Sequence, residues 1–356
     1  MKYGTDKYYW DTLTKEDMLI RPTRFNNDED MHPERSIVTC LGTWFDQGTD
    51  KAPVSYFRLM NLDSPRWAGM VRPGDGPLTK HTVLHLDDIA QKGDVMIPYQ
   101  KLQSNPDVWG WGVEDPFVEV RYYEDGTITW KEGKDGSILD VKLEPFPYTF
   151  FIHVCEQFPV STFYSNGCYL KGTYEGKPIE GIGFHDGQFV PTDKTDKETA
   201  WQKTTDYLTA NCVGIREDGR KEVCFFNGEA DHLVGGYWLE GEEPIVDGNV
   251  KITGNWVHLP YTDDGTCLMP TFDIQIGSKT IHFEGKWGLK GWGKEDSAEN
   301  AEKGLPSFGD RHGESQCIGT FYEGDIPYKH RVWQTFIENM QAFDYKLKAR
   351  GHKVID

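Results

Sequence analysis

The chain has 356 residues, with 38 Lys plus Arg against 57 Asp plus Glu and a formal net charge of -19. Negative charge on this scale argues against a nucleic-acid backbone or an anionic membrane as the main partner. The length allows two modest domains or one large β domain with a sizeable core, and no run approaches the roughly twenty apolar residues of a membrane span.

Met1 to Trp10 lack a continuous apolar signal core, so the expectation is a cytoplasmic protein, with secretion open if a signal peptide has been removed. Seven cysteines, Cys40, Cys155, Cys168, Cys212, Cys224, Cys267 and Cys317, are an odd number without a Cys-x-x-Cys pair. They suggest neither a zinc ribbon nor a complete disulfide framework, and most read as buried thiols on strands.

Residues 1 to 100 carry no firm motif, around Cys40 to Phe45 or at the four-spaced pair His81 and His85. A third metal ligand cannot be named from spacing, so no metal is expected. Beyond them, short alternating aromatic and β-branched runs are separated by Asp-Gly, Glu-Gly and Gly-Ser turns, which is an all-β signature. Phe117 to Tyr123, a turn at Asp125-Gly126, and Thr127 to Trp130 form one hairpin. Cys212 to Ile215 and Glu222 to Phe226 flank Asp218-Gly219 as a second, and Phe272 to Ile276 and Thr280 to Phe283 flank Gly277-Ser278 as a third. Such spacing fits sandwiches or barrels better than parallel sheets.

Between the first and second hairpins, Phe163 to Asp186 reads as a strand, a tight Glu175-Gly176 turn and a second strand. That second strand ends on His185 and Asp186, two titratable groups in a glycine-rich, apolar setting. The polar segment from Lys194 to Tyr207 reads as a connecting helix or loop and marks a boundary between units 1–190 and 191–356. Lys294 to Glu314 reads as a long loop or lid. In the tail from Pro327 to Gly351, Val332, Phe336, Met340, Phe343 and Leu347 recur at spacings of three and four and predict an amphipathic helix docked on a barrel.

The run Tyr164-Ser165, Gly172, Gly176-Lys177-Pro178 and Gly181-x-Gly183-x-x-Asp186 resembles the middle of the double-lipocalin family that includes carotenoid hydratase, kievitone hydratase and proteins described as secreted hydrolases. Asp218-Gly219, Gly254-Asn255-Trp256 and Phe321-Tyr322-Glu323-Gly324 extend the likeness, so that it covers about residues 110 to 326. The resemblance implies two consecutive lipocalin-like β domains with a ligand cavity inside a barrel or where the domains meet. It also implies addition of water to, or rearrangement of, double bonds in isoprenoid or phenolic molecules without metal or organic cofactor. Fungal pericyclases of similar build close rings within one polyene. This chain departs from the hydratase pattern Asp-His-x-Trp-Gly, having Asp186-Gly187-Gln188-Phe189-Val190 instead. The nearest imidazole, His185, precedes the acid, and adjacent strand residues face opposite ways.

Protonating an alkene needs an acid in an apolar pocket and aromatic faces to stabilise positive charge. Asp186 is the first choice, with a turn cap or buried ion pair as its structural alternative. A second constellation, Asn227-Gly228-Glu229-Ala230-Asp231-His232 followed by Tyr237-Trp238, offers Glu229 and Asp231 as an acid/base pair, or equally a solvated loop tip. Catalytic candidates are therefore Asp186, His185, Glu229 and Asp231. Tyr164, Phe189, Phe226, His232, Tyr237, Trp238 and Glu323 are candidates to contact a small hydrophobic substrate. Trp109, Trp111 and the cluster from Trp287 to Trp292 read as core, or as a cavity wall or sugar platform. No nucleophile elbow, phosphate loop or dinucleotide fingerprint is present. The expectation is a hydratase, dehydratase or isomerase acting on an isoprenoid, phenolic or polyketide, against a non-catalytic lipophilic-ligand carrier or a carbohydrate-active β-sandwich.

Overall fold

A computed structural model describes residues 1–14, 16–18, 24, 117, 119–153, 155, 162–187, 208–229, 231–258, 267, 269, 271–283, 326–328, 330–331 and 342–355 with their side chains. It describes the backbone alone for strand residues 36–45, 54–61, 69–71, 84–86, 96–97, 108–113, 118, 188–190, 207, 268, 284, 289–292, 312–317, 321–323 and 332–340. The predicted connection from Lys194 to Tyr207 lies almost wholly outside these residues, as do most of the predicted lid, His81 and Trp287.

The first part of the chain supplies β1 (Tyr3–Gly4), β2 (Tyr8–Asp11), β3 (Ser36–Phe45), β4 (Val54–Asn61), β5 (Gly69–Val71), β6 (Leu84–Leu86), β7 (Met96–Ile97) and β8 (Val108–Val113). It continues with β9 (Val118–Tyr123), β10 (Ile128–Glu132), β11 (Leu139–Ile152), β12 (Thr162–Tyr174) and β13 (Lys177–Val190). These build one antiparallel sheet in the order β4-β3-β13-β12-β11-β10-β9-β8-β7, with β2 beside β11 and β5-β6 a separate ribbon. The second part supplies β14 (Tyr207–Arg216), β15 (Lys221–Glu229), β16 (His232–Leu239), β17 (Ile245–Gly254), β18 (Trp256–His258), β19 (Cys267–Leu268), β20 (Thr271–Ile276) and β21 (Lys279–Glu284). After these come β22 (Leu289–Trp292), β23 (His312–Cys317), β24 (Phe321–Glu323), β25 (Ile326–Tyr328), β26 (His330–Met340), the helix α1 (Asp344–Ala349) and β27 (Val354–Ile355). The second sheet runs β21-β20-β17-β16-β15-β14-β26-β23-β22.

The fold is all-β, two consecutive lipocalin-like curled sheets with a short C-terminal helix, and no helix among the described residues is long and apolar enough to cross a membrane. The hairpins follow from their turns. In the β12–β13 turn both central residues take positive φ, 48° at Glu175 and 75° at Gly176, the geometry whose twist matches two flanking strands. The predicted helix from Pro327 is corrected: His330–Met340 is a strand between β14 and β23, and only Asp344–Ala349 is helical. Val332, Phe336 and Met340 are four apart, and four is a whole number of strand periods as well as near one helical turn. The β-branched and aromatic content of His330–Met340 favours the strand.

Curling of the first sheet is visible in one contact. Tyr122 on β9 and His185 on β13 lie four strands apart, about 19 Å on a flat sheet, yet their ring centroids are 5.1 Å apart. The inner face so formed carries Tyr122, Ile128, Trp130, Leu143, Phe151, Tyr164 and Cys168, all buried, while Thr129, Lys131 and Lys142 on the other face meet solvent. The ladder breaks between Pro145 and Thr149, where Asn166 donates to the Phe146 and Tyr148 carbonyls at 3.3 Å and to Thr149 Oγ1 at 2.6 Å. One amide thus satisfies the groups freed by the irregularity.

The outer faces of the two sheets pack on one another. Phe225 of β15 stacks on Phe163 at 5.3 Å and tilts against Phe150 at 5.4 Å, Trp238 meets Tyr148 at 5.6 Å, and Trp10 Nε1 donates to the Ile245 carbonyl at 2.9 Å. Glycines set this approach: a Cβ on Gly236 would lie 2.5 Å from Trp10 Nε1 and 2.6 Å from the Phe150 ring. Gly236→Ala is therefore expected to wedge the sheets apart and lower stability by about 1–3 kcal/mol, read as a lower urea midpoint with an unchanged far-ultraviolet spectrum.

Candidate functional site

The open end of the β12–β13 hairpin, residues 162–168 and 181–187, is buried on both faces, and alternation sorts its polar groups into two compartments. Tyr164, Asn166, Cys168, His185 and Gly187 belong to the inner face of the first sheet, whereas Phe163, Ser165, Phe184 and Asp186 face the second sheet. The two titratable neighbours, four residues inside the end of β13 rather than at it, are thus both buried and on opposite sides.

Asp186 is 4 % exposed and lies in the seam between the sheets. Its Oδ2 accepts a 2.7 Å hydrogen bond from Asn211 Nδ2, and Asn211 Oδ1 accepts one of 2.7 Å from Ser165 Oγ. This chain of three polar side chains crosses from β12 and β13 to β14 beside the stacked Phe163 and Phe225 rings. On the same outer face of the second sheet, Asn227 stands opposite Thr209, two positions from the row that pairs Asn211 with Phe225. Asn227 has zero exposure, and neither its Oδ1 nor its Nδ2 has a hydrogen-bond partner among the described residues.

His185 has zero exposure on the inner side. The Tyr122 ring is tilted against it at 5.1 Å, and the Tyr164 ring meets it edge-on at 5.4 Å. Tyr164 is seated by Gly187, whose absent Cβ would lie 2.2 Å from the ring. Burial depresses the His185 pKa from 6.5 to about 3, so the imidazole is neutral. Both ring nitrogens lack a partner among the described residues, a deficit that costs about 1–3 kcal/mol for each group. Burial also raises the Tyr164 hydroxyl and the Cys168 thiol well above their ordinary values.

Glu229 and Asp231 are elsewhere, at the β15–β16 turn. Arg350 bridges Asp231 through Nε at 3.0 Å and approaches Glu229 at 3.9 Å, with His352 3.5 Å from Asp231, and these groups are partly exposed. Beside them His232 is exposed. Phe226 is in the core of the second sheet, with its ring 5.8 Å from Phe272, and Trp238 lies in the seam. Phe189 and Glu323 are described in backbone only, opposite Thr162 and Ile326.

Tyr237 belongs to a buried ionic cluster that sequence reasoning missed. Glu222, 1 % exposed, accepts from Arg216 Nη2 at 2.7 Å and Nε at 3.1 Å, from Tyr328 at 3.0 Å, from His330 Nε2 at 2.5 Å and from the Tyr237 hydroxyl. Burial alone would raise the Glu222 pKa, but the hydrogen bonds from His330 and Arg216 outweigh it and hold the group at about 2. A carboxylate saturated by donors is a structural anion and a poor acid. Arg216 and Glu222 flank a recognisable turn, but Tyr328 and His330 reach them only through strand pairing more than a hundred residues away.

No family model matches the chain, and no curated protein matches it. Among solved structures it is similar to CghA, at 10% identity and a TM-score of 0.45, over 94% of this chain and 93% of that one. It is also similar to kievitone hydratase from Nectria haematococca, at 10% identity and a TM-score of 0.41, over 94% of this chain and 96% of that one. These values are too low to bear on chemistry.

Two pH dependences follow. The lowered Glu222 pKa contributes stability that is present above its unfolded value of 4.5 and lost as pH falls towards about 2. Glu222→Gln is expected to remove that acid limb and to lower stability at neutral pH, both measurable by urea titration at stepped pH. For His185 the unfolded chain takes up a proton below 6.5 that the folded chain refuses until about 3. Stability therefore falls by up to about 1.4 kcal/mol per pH unit across that window, and His185→Phe should flatten this part of the profile.

Proposed function

We propose that the protein is an enzyme of the hydro-lyase or isomerase class, acting by acid/base chemistry on a small hydrophobic unsaturated molecule bound in the seam between the units 1–190 and 191–356. The observation that carries this reading is a carboxyl group, Asp186, almost fully withdrawn from water and fixed by a side-chain amide beside stacked aromatic rings. The protonated form of a carboxylic acid is the form able to deliver a proton to a carbon–carbon double bond. Asn211 fixes the plane of the carboxyl group, and Ser165 in turn fixes Asn211. Phe163 and Phe225 offer π faces to the developing cation.

In hydration, the Asp186 proton is added to one alkene carbon, water oxygen bonds to the other, and the proton released by that water returns to the carboxylate. Isomerisation differs only in taking the second proton from carbon. Such chemistry needs no cofactor. The unpartnered amide of Asn227 on the same sheet face is suited to an oxygen or N–H of the bound molecule. Isoprenoid, phenolic and polyketide skeletons are the substrate classes in view.

The test is mass-spectrometric screening of such compounds for gain or loss of water, or for isobaric rearrangement. Asp186→Asn is expected to reduce turnover by about 10²–10⁴-fold, the usual contribution of a general acid or base, with little change in melting temperature. Full activity in that variant would remove Asp186 from the mechanism. Absence of turnover across the panel would favour ligand carriage.

A further inference from the structure

We infer that the outer face of the second sheet carries a separate binding site for a neutral sugar ring, in an open groove lined by β17, β20 and β21 together with the β18–β27 pair. Its described lining residues are distinct from those of the seam, so the site does not rest on the function proposed there.

Strand register builds the polar part of the groove. Thr253, Asp273 and His282 are direct partners across three neighbouring strands, and Phe272 and Ile274, which flank Asp273, are buried in the core of the second sheet. Alternation therefore turns the whole row towards solvent. Thr271 extends it along β20, and Asn255 follows where the chain leaves β17. The apolar part is Val257 and Ile355, direct partners in the parallel β18–β27 pair, and Ile355 is a large hydrophobic side chain left exposed. The groove holds about 470 Å³, within the range of small-molecule sites.

The chemistry of these groups selects the occupant. A carboxylate, a carboxamide, an imidazole and two hydroxyls mix donors with acceptors, the set that pairs with alcohol groups, each of which both donates and accepts. Thr253, Asn255 and Thr271 make no side-chain hydrogen bond to any described residue. Asp273 is held in place, because His282 Nδ1 donates to its Oδ1 at 2.5 Å. An anion is not served, since the described lining residues include no Lys or Arg and do include a carboxylate. A metal ion is not served either, as no group of three or more His, Cys, Asp or Glu is placed to hold one among the described residues. A pyranose meets both parts, with hydroxyls around its edge for the polar row and a C–H face for Val257 and Ile355. Cleavage of a glycosidic bond uses two carboxyl groups, and the described lining offers one, so the groove recognises a sugar without hydrolysing it.

The probes are the methyl pyranosides of glucose, galactose, mannose and N-acetylglucosamine, titrated into the isotope-labelled full chain and followed by NMR. At least one is expected to shift the backbone amides of Thr253, Asp273 and Ile355 while leaving that of Asp186 in place. Asp273→Ala is expected to weaken this binding about tenfold, the loss of a hydrogen bond to a charged group. Ile355→Ser, which strips the apolar part, should weaken it about threefold. Absence of shifts from every glycoside, or parental affinity in Asp273→Ala, would overturn the proposal. Shifts at the same amides from tetramethylammonium and from no glycoside would also overturn it, and would make the groove a site for organic cations.

Discussion

The contact of the two outer sheet faces is the constraint on which the rest of the molecule depends. Each sheet curls around its own apolar interior, and each would expose a second apolar face if it stood alone. Phe150, Phe163, Phe225 and Trp238 bury those faces against each other, and Gly167 and Gly236 bring the backbones close enough to do so. At a methyl group's distance on Gly167, Phe146, Val213 and Val223 already stand at 3.0 Å. Into this dry layer the chain inserts Ser165, Asn211 and Asp186, polar groups that are tolerable there because they bond to one another.

Strand alternation then does the sorting. A strand with water on one side would place only one of two successive residues in a dry environment, whereas β13 is covered on both sides and gives His185 and Asp186 separate ones. The imidazole faces tyrosines and the carboxyl faces an amide. The dense ionic cluster around Glu222, by contrast, has its donors and acceptors matched, which is the pattern of an anchor between β14, β15, β25 and β26.

Much of this was legible in the sequence where the determinants are local. The four hairpins follow from glycine-containing turns of two or three residues flanked by alternating apolar residues, and all four are found at the expected positions. The tail was not legible, because a spacing of four satisfies strand and helix alike. Neither was the partner of Asp186. Asn211 sits in an unremarkable run, Asn211-Cys212-Val213, and only the pairing of β14 with β15 and its packing on β13 bring it to the carboxyl group. The acidic pair Glu229 and Asp231 shows the converse: its local composition suggests a site, but Arg350 at the far end of the chain neutralises it.

The placement of Trp10 has a consequence for the order of assembly. The strand that carries it pairs with β11 through Phe150, while its indole bonds to Ile245 in the second sheet, 235 positions later. During synthesis that segment leaves the ribosome long before either partner exists, and its indole must wait for Ile245 while most of the polypeptide is made. Contacts between such distant positions are slow to form. Completion of the first sheet's edge at β11 can therefore precede clasping of the second sheet, and a ribosome-stalled fragment ending before residue 245 would hold this strand by one side only.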